Sequence, residues 1–349
     1  MISIECNKGL PLEYESFLIE RYDSFITTCR YVEVYYPTYD MNYMLVYRDG
    51  SLIELLLLGN KGTTTACFNA LVKLDPDIME ICLKKIFEVY PQIRKIKIDA
   101  SYVNYELKKS VLFYKSDDHI LNLPSALDVY TAELGSKTRK HLKARNAKLV
   151  TEFSSVSFVT KFGTEIEEGI VDKIIHLNCD RMKHKGKKHG IDNNYKKNIY
   201  NYSQYYGCVV YLELDGEIVA GCIASIINKT IFLHVIAHDN NYSKYNVGEV
   251  CVFNLIQTSI DMGLTKLHFL WGFSELKRRL LAKPHLLYSY YVFKNNSPAY
   301  WIERLKLGLL QSIDSFKQQR IADYLRRLIQ SFRKKNSELF IVISKQKCI

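Results

Sequence analysis

Four ionisable residues fall where two consecutive strand patterns end. Asp239 closes the apolar run Thr230 to Ala237, His268 lies inside the next run, Lys266 to Trp271, and Glu275 and Lys277 follow it. If the two strands are neighbours, all four side chains approach one cleft, and carboxylate, imidazole and ammonium together are the equipment of proton transfer. Each has a plainer reading. Asp239 can simply cap the loop after its strand, His268 can be a satisfied interior histidine, and Glu275 with Lys277 can be a surface ion pair.

The elements that must position these residues read clearly. Val209 to Leu214 and Glu217 to Ile227 are strands joined by Asp215-Gly216, a two-residue hairpin signal because both turn positions need positive φ. Asn228-Lys229 turns the chain into Thr230 to Ala237. A loop from His238 to Gly248 then leads into a helix, Glu249 to Met262, closed by Gly263 at the C′ position.

The same order stands earlier in the chain. Met44 to Leu58 is a hairpin about Asp49-Gly50, and Asn60-Lys61-Gly62 turns into a strand over Thr63 to Val72. Asp75 caps a helix with Pro76 at its first position, running to about Tyr90, and Ile93 to Ile98 is a strand. Hairpin, hairpin, helix, strand, found twice without residue identity, suggests a duplicated α/β unit. Between the halves Ala126 to Val150 has helical spacing, and Glu165 to Arg181 is a further helix before a polar loop, Met182 to Asn194. After Ser297 the spacing of Ile321, Leu325, Leu328 and Phe332 predicts a helical extension.

Composition sets the class. With 349 residues, 48% of them hydrophobic, the chain has enough apolar surface for two domains. No run approaches the roughly 20 apolar residues of a membrane span, and the first residues lack a secretory pattern, so a cytoplasmic protein is expected. Nine cysteines stand singly, without a C-x-x-C pair or a neighbouring histidine at ligand spacing; neither a metal site nor a disulfide framework is expected. The net charge of +11 is concentrated in two stretches. Lys137, Arg139, Lys140, Lys143, Arg145 and Lys148 crowd one helix, and Glu303 to Lys335 carries nine basic residues against three acidic. Such faces are commonly solvated, and they also suit anionic lipid, nucleic acid or a phosphorylated substrate.

Three segments carry a family resemblance. The basic helix Leu134-Gly-Ser-Lys-Thr-Arg-Lys-His-Leu-Lys-Ala-Arg145, the loop Asp239 to Gly248 and the run Phe269-Leu-Trp-Gly-Phe-Ser-Glu-Leu-Lys277 resemble, in that order, segments of the GNAT-superfamily acyltransferases associated with cellulose and other exopolysaccharide synthesis. The Fem peptidoglycan-bridge aminoacyltransferases are two-domain relatives of these enzymes. The resemblance implies an α/β (α+β) fold of tandem GNAT-like halves, a mixed sheet flanked by helices. The expected division is a degenerate half over residues 1–125, a basic connecting helix over 126–150, the acyltransferase domain over 151–295 and a basic helical extension over 296–349.

The resemblance also implies roles. Acetyl-CoA or another acyl-CoA would lie along Val235 and Ala237 with its pyrophosphate on the backbone of Tyr245, Asn246, Val247, Gly248 and Glu249. There Gly248 permits close approach and Asn246 can take the left-handed conformation in place of the superfamily's first glycine. Asp239 or Glu275 would serve as base or orient the amine, with Tyr242 or Tyr245 protonating the leaving thiolate. His268 stands where the exopolysaccharide group often has an acidic residue, and Arg181, Trp271 and Lys277 would face the acceptor. The loop Asp180 to Gly190 would either close over an anionic acceptor, such as a nucleotide-linked or lipid-linked sugar, or remain a solvated loop. The implied activity is N-acyl transfer to an amine, with an amino sugar of a cell-envelope polysaccharide precursor as acceptor and the basic C-terminal helices resting on the inner membrane face. A Fem-like use of aminoacyl-tRNA and a non-catalytic basic binding protein on a GNAT scaffold are the alternatives; nucleic acid enters only as that tRNA or as the target of the binding protein.

Overall fold

Both residues of the Asp49-Gly50 turn have positive φ, 51° and 82°, as do Asp215 and Gly216 at 51° and 85°. Each turn therefore makes the tight hairpin its sequence predicts. A computed structural model describes residues 1–186, 191–294, 298 and 300–306. The strands are β1 (Ile2–Lys8), β2 (Asp40–Arg48), β3 (Ser51–Lys61), β4 (Thr64–Cys67), β5 (Lys95–Ser101), β6 (Ser110–Asn122), β7 (Val156–Phe162), β8 (Gly207–Leu214), β9 (Glu217–Ile227), β10 (Thr230–His238), β11 (Lys266–Trp271) and β12 (Lys283–Phe293). The helices are α1 (Glu15–Tyr22), α2 (Cys29–Tyr35), α3 (Pro76–Val89), α4 (Leu127–Glu133), α5 (Ser136–Glu152), α6 (Glu168–His184), α7 (Asn193–Tyr206), α8 (Val247–Asp261) and α9 (Glu275–Arg279).

All twelve strands form one mixed sheet in the order β1-β2-β3-β4-β5-β12-β6-β11-β10-β9-β8-β7. Adding six to any strand of the first half gives its counterpart in the second. The parallel pairs, β4–β5 and β10–β11, correspond under this rule, and the remaining pairs are antiparallel. The last strand of each half crosses over: β6 lies beside β11, β12 lies beside β5, and the two pair with each other at the centre. The fold is thus the tandem mixed α/β arrangement expected.

Side-chain alternation assigns the two faces. On β8, Cys208, Val210, Leu212 and Leu214 pack in the cluster that contains α8, whereas Val209 and Tyr211 join the cluster containing α6. Asp75 caps α3 by accepting from the amides of Asp77 and Ile78 at 2.9 and 3.2 Å, and Gly263, at φ 71°, follows α8. All eight described cysteines are free; six are buried as small apolar side chains in the core, and Cys6 and Cys179 are half-buried.

Some expectations change. The strand foreseen over Thr63 to Val72 is only the four residues of β4, because Asn69 turns inward and bonds the Leu57 amide at 2.8 Å and the Leu55 carbonyl at 2.8 Å. The polar loop Met182 to Asn194 is helical at both ends, through α6 and α7. The loop before α8 contains a 3₁₀ turn, Asn240–Tyr245. Residues 300–306 are helical; the apolar spacing from Ile321 to Phe332 and the basic residues beyond Lys306 lie outside the described residues.

Candidate active site

Strands β10 and β11 pair only at Thr230↔Lys266, Ile231↔Leu267 and Phe232↔His268, although β10 continues to His238 and β11 to Trp271. Beyond that last pair the strands part. A register shift between Leu233 and Val235 bends β10 against β9, and Leu270 takes a left-handed φ of 55° in β11. In the first half β4 pairs with β5 along its whole length and then ends, so no comparable edge is left open there.

The register shows which backbone groups face the gap. The Asp239 amide donates to the Val219 carbonyl at 2.8 Å, in step with Ala237↔Gly221 and Val235↔Ile223. Val235 and Ala237 therefore turn their backbone groups toward β9, one residue out of phase with the expectation. Ile236 faces the gap instead, its carbonyl accepting from Asn178 Nδ2 at 2.9 Å.

The loop delivers the chain to α8 through Asn246, which has φ 53° and ψ 42°. Its carbonyl accepts from the amides of Glu249 and Val250 at 2.9 and 3.2 Å and its own amide donates to the Ser243 carbonyl at 3.0 Å, which removes both Glu249 and Asn246 from the expected set of free donors. The amides of Val247 and Gly248 make no hydrogen bond among the described residues. These two first-turn donors, at the positive end of the helix dipole, suit an anion. Gly248 has a second reason to be glycine: a Cβ there would stand 2.7 Å from His238 Nδ1.

A cleft of about 500 Å³ runs through the gap. Its lining includes Asn178 and Arg181 of α6, Ile236 and His238 of β10, Gly248 of α8 and Trp271 at the end of β11. Cationic groups dominate it. Arg181 Nε is buried without a hydrogen-bond partner, and burial lowers this guanidinium's pKa. His238 is pushed down to about 4 by burial and by the charges of Arg181 and Lys185; its Nδ1 is also enclosed without a partner. The orphaned Arg181 donor and the free amides fit a phosphorylated ligand such as the pyrophosphate of an acyl-CoA.

The candidates do not all converge on the cleft. Lys277 lines it, but its ammonium donates to the carbonyls of Leu270, Trp271 and Gly272 at 3.0, 2.9 and 2.7 Å. It thereby fixes the end of β11, and burial pushes it down to about 8, opposed by Asp118 and Asp117. The Glu275–Lys277 pair is not formed. Glu275 instead engages Arg278, with Arg278 Nε at 3.0 Å, in an exposed pair that lowers the carboxyl's pKa. Asp239 accepts from the Asn241 amide at 2.8 Å as the cap of the 3₁₀ turn. Tyr242 packs on Phe153, and Tyr245 donates to Glu152 at 2.5 Å. Asp239, Tyr242, Tyr245, Glu275 and His268 all lie outside the cleft lining.

His268 has a partner no local pattern reveals. Its Nδ1 lies 2.6 Å from Asp118 Oδ2, on β6 of the other half, and both residues are buried. His238, Asn178 and Asp118 were not singled out from the sequence. A histidine immediately before the Asp239 cap was the available signal for the first; the other two depend on tertiary contacts.

With this geometry, residues 206–278 match the family model of the acetyltransferase (GNAT) domain. The matched segment runs from β8 through most of α9, across the parting strands and the start of α8. Among solved structures the chain is similar to FemX, with a TM-score of 0.62 at 11% identity, over 85% of this chain and 99% of that one. It is also similar to L-PGS from Bacillus licheniformis (TM-score 0.54, 12% identity, 88% and 99% covered). A third similar structure is the C-terminal domain of a putative lysylphosphatidylglycerol synthetase from Agrobacterium fabrum (0.54, 12%, 84% and 94%). At these identities the likeness is one of fold. No curated protein matches the chain by sequence. Among the described residues no group of three or more His, Cys, Asp or Glu is placed to hold a metal ion, and no helix is long and apolar enough to cross a membrane.

Proposed function

We propose that the chain transfers an acetyl or other short acyl group from a coenzyme A thioester to an amine. The observation that carries this reading is the parting of β10 and β11 beside a helix start with two unbonded amides. The pantetheine would lie along the Ile236 edge and the pyrophosphate on Val247, Gly248 and Arg181, which places the thioester at the apex of the gap. The acceptor we favour is an amino sugar carried on a nucleotide or lipid phosphate, as in exopolysaccharide and cell-envelope synthesis, acylated in the cytoplasm at the inner face of the membrane.

A second reading, with aminoacyl-tRNA as donor, draws on the FemX-like fold and on α5, where Lys137, Lys140 and Lys143 are all exposed. Titration calorimetry separates the two. Acetyl-CoA should bind the full chain, and Gly248→Trp, which fills the space of the His238 ring, should abolish binding. Binding unaffected by Gly248→Trp refutes the donor site. Failure to bind acetyl-CoA, with consumption of aminoacyl-tRNA, establishes the second reading.

A further inference from the structure

We infer that the proton acceptor for the attacking amine is His268, held in place by Asp118 and Tyr102 from the other half of the chain. This rests on the acyl-transfer reading above and names the base within it. His268 occupies the last paired position of β10 and β11, so it stands at the apex where a thioester threaded along the gap ends. Leu233 and Phe269, the next residue on each strand, line the cleft, and His268, 5% exposed, lies directly behind that lining with its ring against Phe232.

The imidazole is fixed on several sides. Asp118 Oδ2 lies 2.6 Å from Nδ1, and the same oxygen accepts from the Tyr102 hydroxyl at 2.7 Å. Phe232 packs on the ring, with centroids 4.6 Å apart. A buried carboxylate against Nδ1 selects the tautomer protonated there, which leaves the Nε2 lone pair as acceptor. Nε2 has no hydrogen-bond partner among the described residues. The nearby alternatives are engaged: His234 Nε2 is 2.8 Å from Ser225 Oγ, His238 packs on Gly248, and Asp239 and Glu275 hold their own local partners.

In the reaction, the neutral amine attacks the thioester carbonyl carbon; the C–N bond forms and the C–S bond breaks. The proton lost by nitrogen passes to His268 Nε2 and from there to the leaving sulfur. Amide and thiol leave, and the imidazole returns to its neutral form. Asp118 is a positioning residue in this scheme, acting through the ring it orients.

The test uses the full chain with acetyl-CoA as donor and hydroxylamine as a small amine, reading thiol release, donor affinity by calorimetry and thermal melting. Wild-type protein should exceed the uncatalysed rate. His268→Ala should lower kcat by roughly 10² to 10⁴ while the KM for acetyl-CoA stays within about twofold. Added imidazole should restore part of the lost rate in that variant and leave wild type unchanged, a response that lost packing does not produce. Asp118→Asn should lower kcat by roughly tenfold or more with donor KM unchanged; if that variant does not fold, the imidazole response of His268→Ala decides. Wild-type kcat in His268→Ala, absence of imidazole rescue, or a wild-type protein that binds acetyl-CoA yet leaves hydroxylamine at its uncatalysed rate overturns the inference. Absence of acetyl-CoA binding is a different result, visible by calorimetry before any turnover, and it overturns the donor reading itself.

Discussion

Arg145 on α5 and Glu249 on α8 form an ion pair at 2.5 Å, with side-chain exposures of only 16% and 7%. Arg279 reaches the same carboxylate oxygen at 3.1 Å. One arginine of the basic connecting helix is therefore committed to the fold, fastening that helix beneath the start of α8. Arg145→Ala should lower unfolding free energy by about 2 kcal/mol, since a part-buried hydrogen bond to a charge is lost while Arg279 still partners the carboxylate. Lys143→Ala on the exposed face should change it by less than about 0.5 kcal/mol. Urea denaturation of the two variants checks the contrast.

The entry to α8 depends on backbone conformation at one residue and space at another. Asn246→Gly should be tolerated, whereas Asn246→Val should cost about 1 to 2 kcal/mol because a β-branched residue resists φ near 53°. Gly248→Ala forces the His238 ring to move and should weaken acetyl-CoA binding more than it lowers the melting temperature. Equal binding by wild type and Gly248→Ala would show that the His238 position is unrelated to the donor.

Acid should destabilise the protein through histidines buried as neutral rings. His238 and His234 are pushed down to about 4 and about 3, each mainly by burial. Between those values and the ordinary 6.5, the unfolded chain binds protons that the folded chain does not, so stability falls as pH drops from about 6.5 toward 4. Above 6.5 both states are neutral and the contribution is complete. Denaturation midpoints between pH 7 and 4.5 should fall less steeply in His238→Gln than in wild type.

Asp239 and Glu275 should prove dispensable for turnover. Asp239→Asn should leave stability and acyl transfer near wild type, because asparagine caps as well, while Asp239→Ala should cost about 1 kcal/mol. Glu275→Gln loses only an exposed pair with Arg278. A drop in kcat of tenfold or more in either amide variant, with the fold intact, would return the base to these carboxylates.

What the sequence made legible was local. The Asp-Gly hairpins, the Asp75-Pro76 helix start and the run from β8 to β11 announce themselves through turn chemistry and periodicity. The strand β6 does not, because its centre reads Lys115-Ser-Asp-Asp-His119, a polar stretch whose Asp118 is buried only by virtue of Tyr102 and His268. Helix α7 is rich in Tyr and Asn, poor helix formers, and is held by tertiary burial of Ile199 and Tyr202. The site divided along the same line. The glycine loop and the αL asparagine could be read from residue types, whereas the phase of β10 and the His268–Asp118 contact follow from a bulge and a strand crossing that have no short-range signature.

The crossing of β6 and β12 makes the two halves inseparable in a practical sense. A cut between Asn122 and Leu127 would leave each piece without the central strand that borders its parallel pair, exposing an unsatisfied edge. Each piece would also retain a strand that fits only the other. Such fragments are complementary to one another and to the matching fragments of a second copy, so the chain contains the parts of an exchanged dimer, and the covalent tether favours closure within one chain by raising the local concentration of the matching half. His268 and Asp118 would meet again only when the two pieces reassembled.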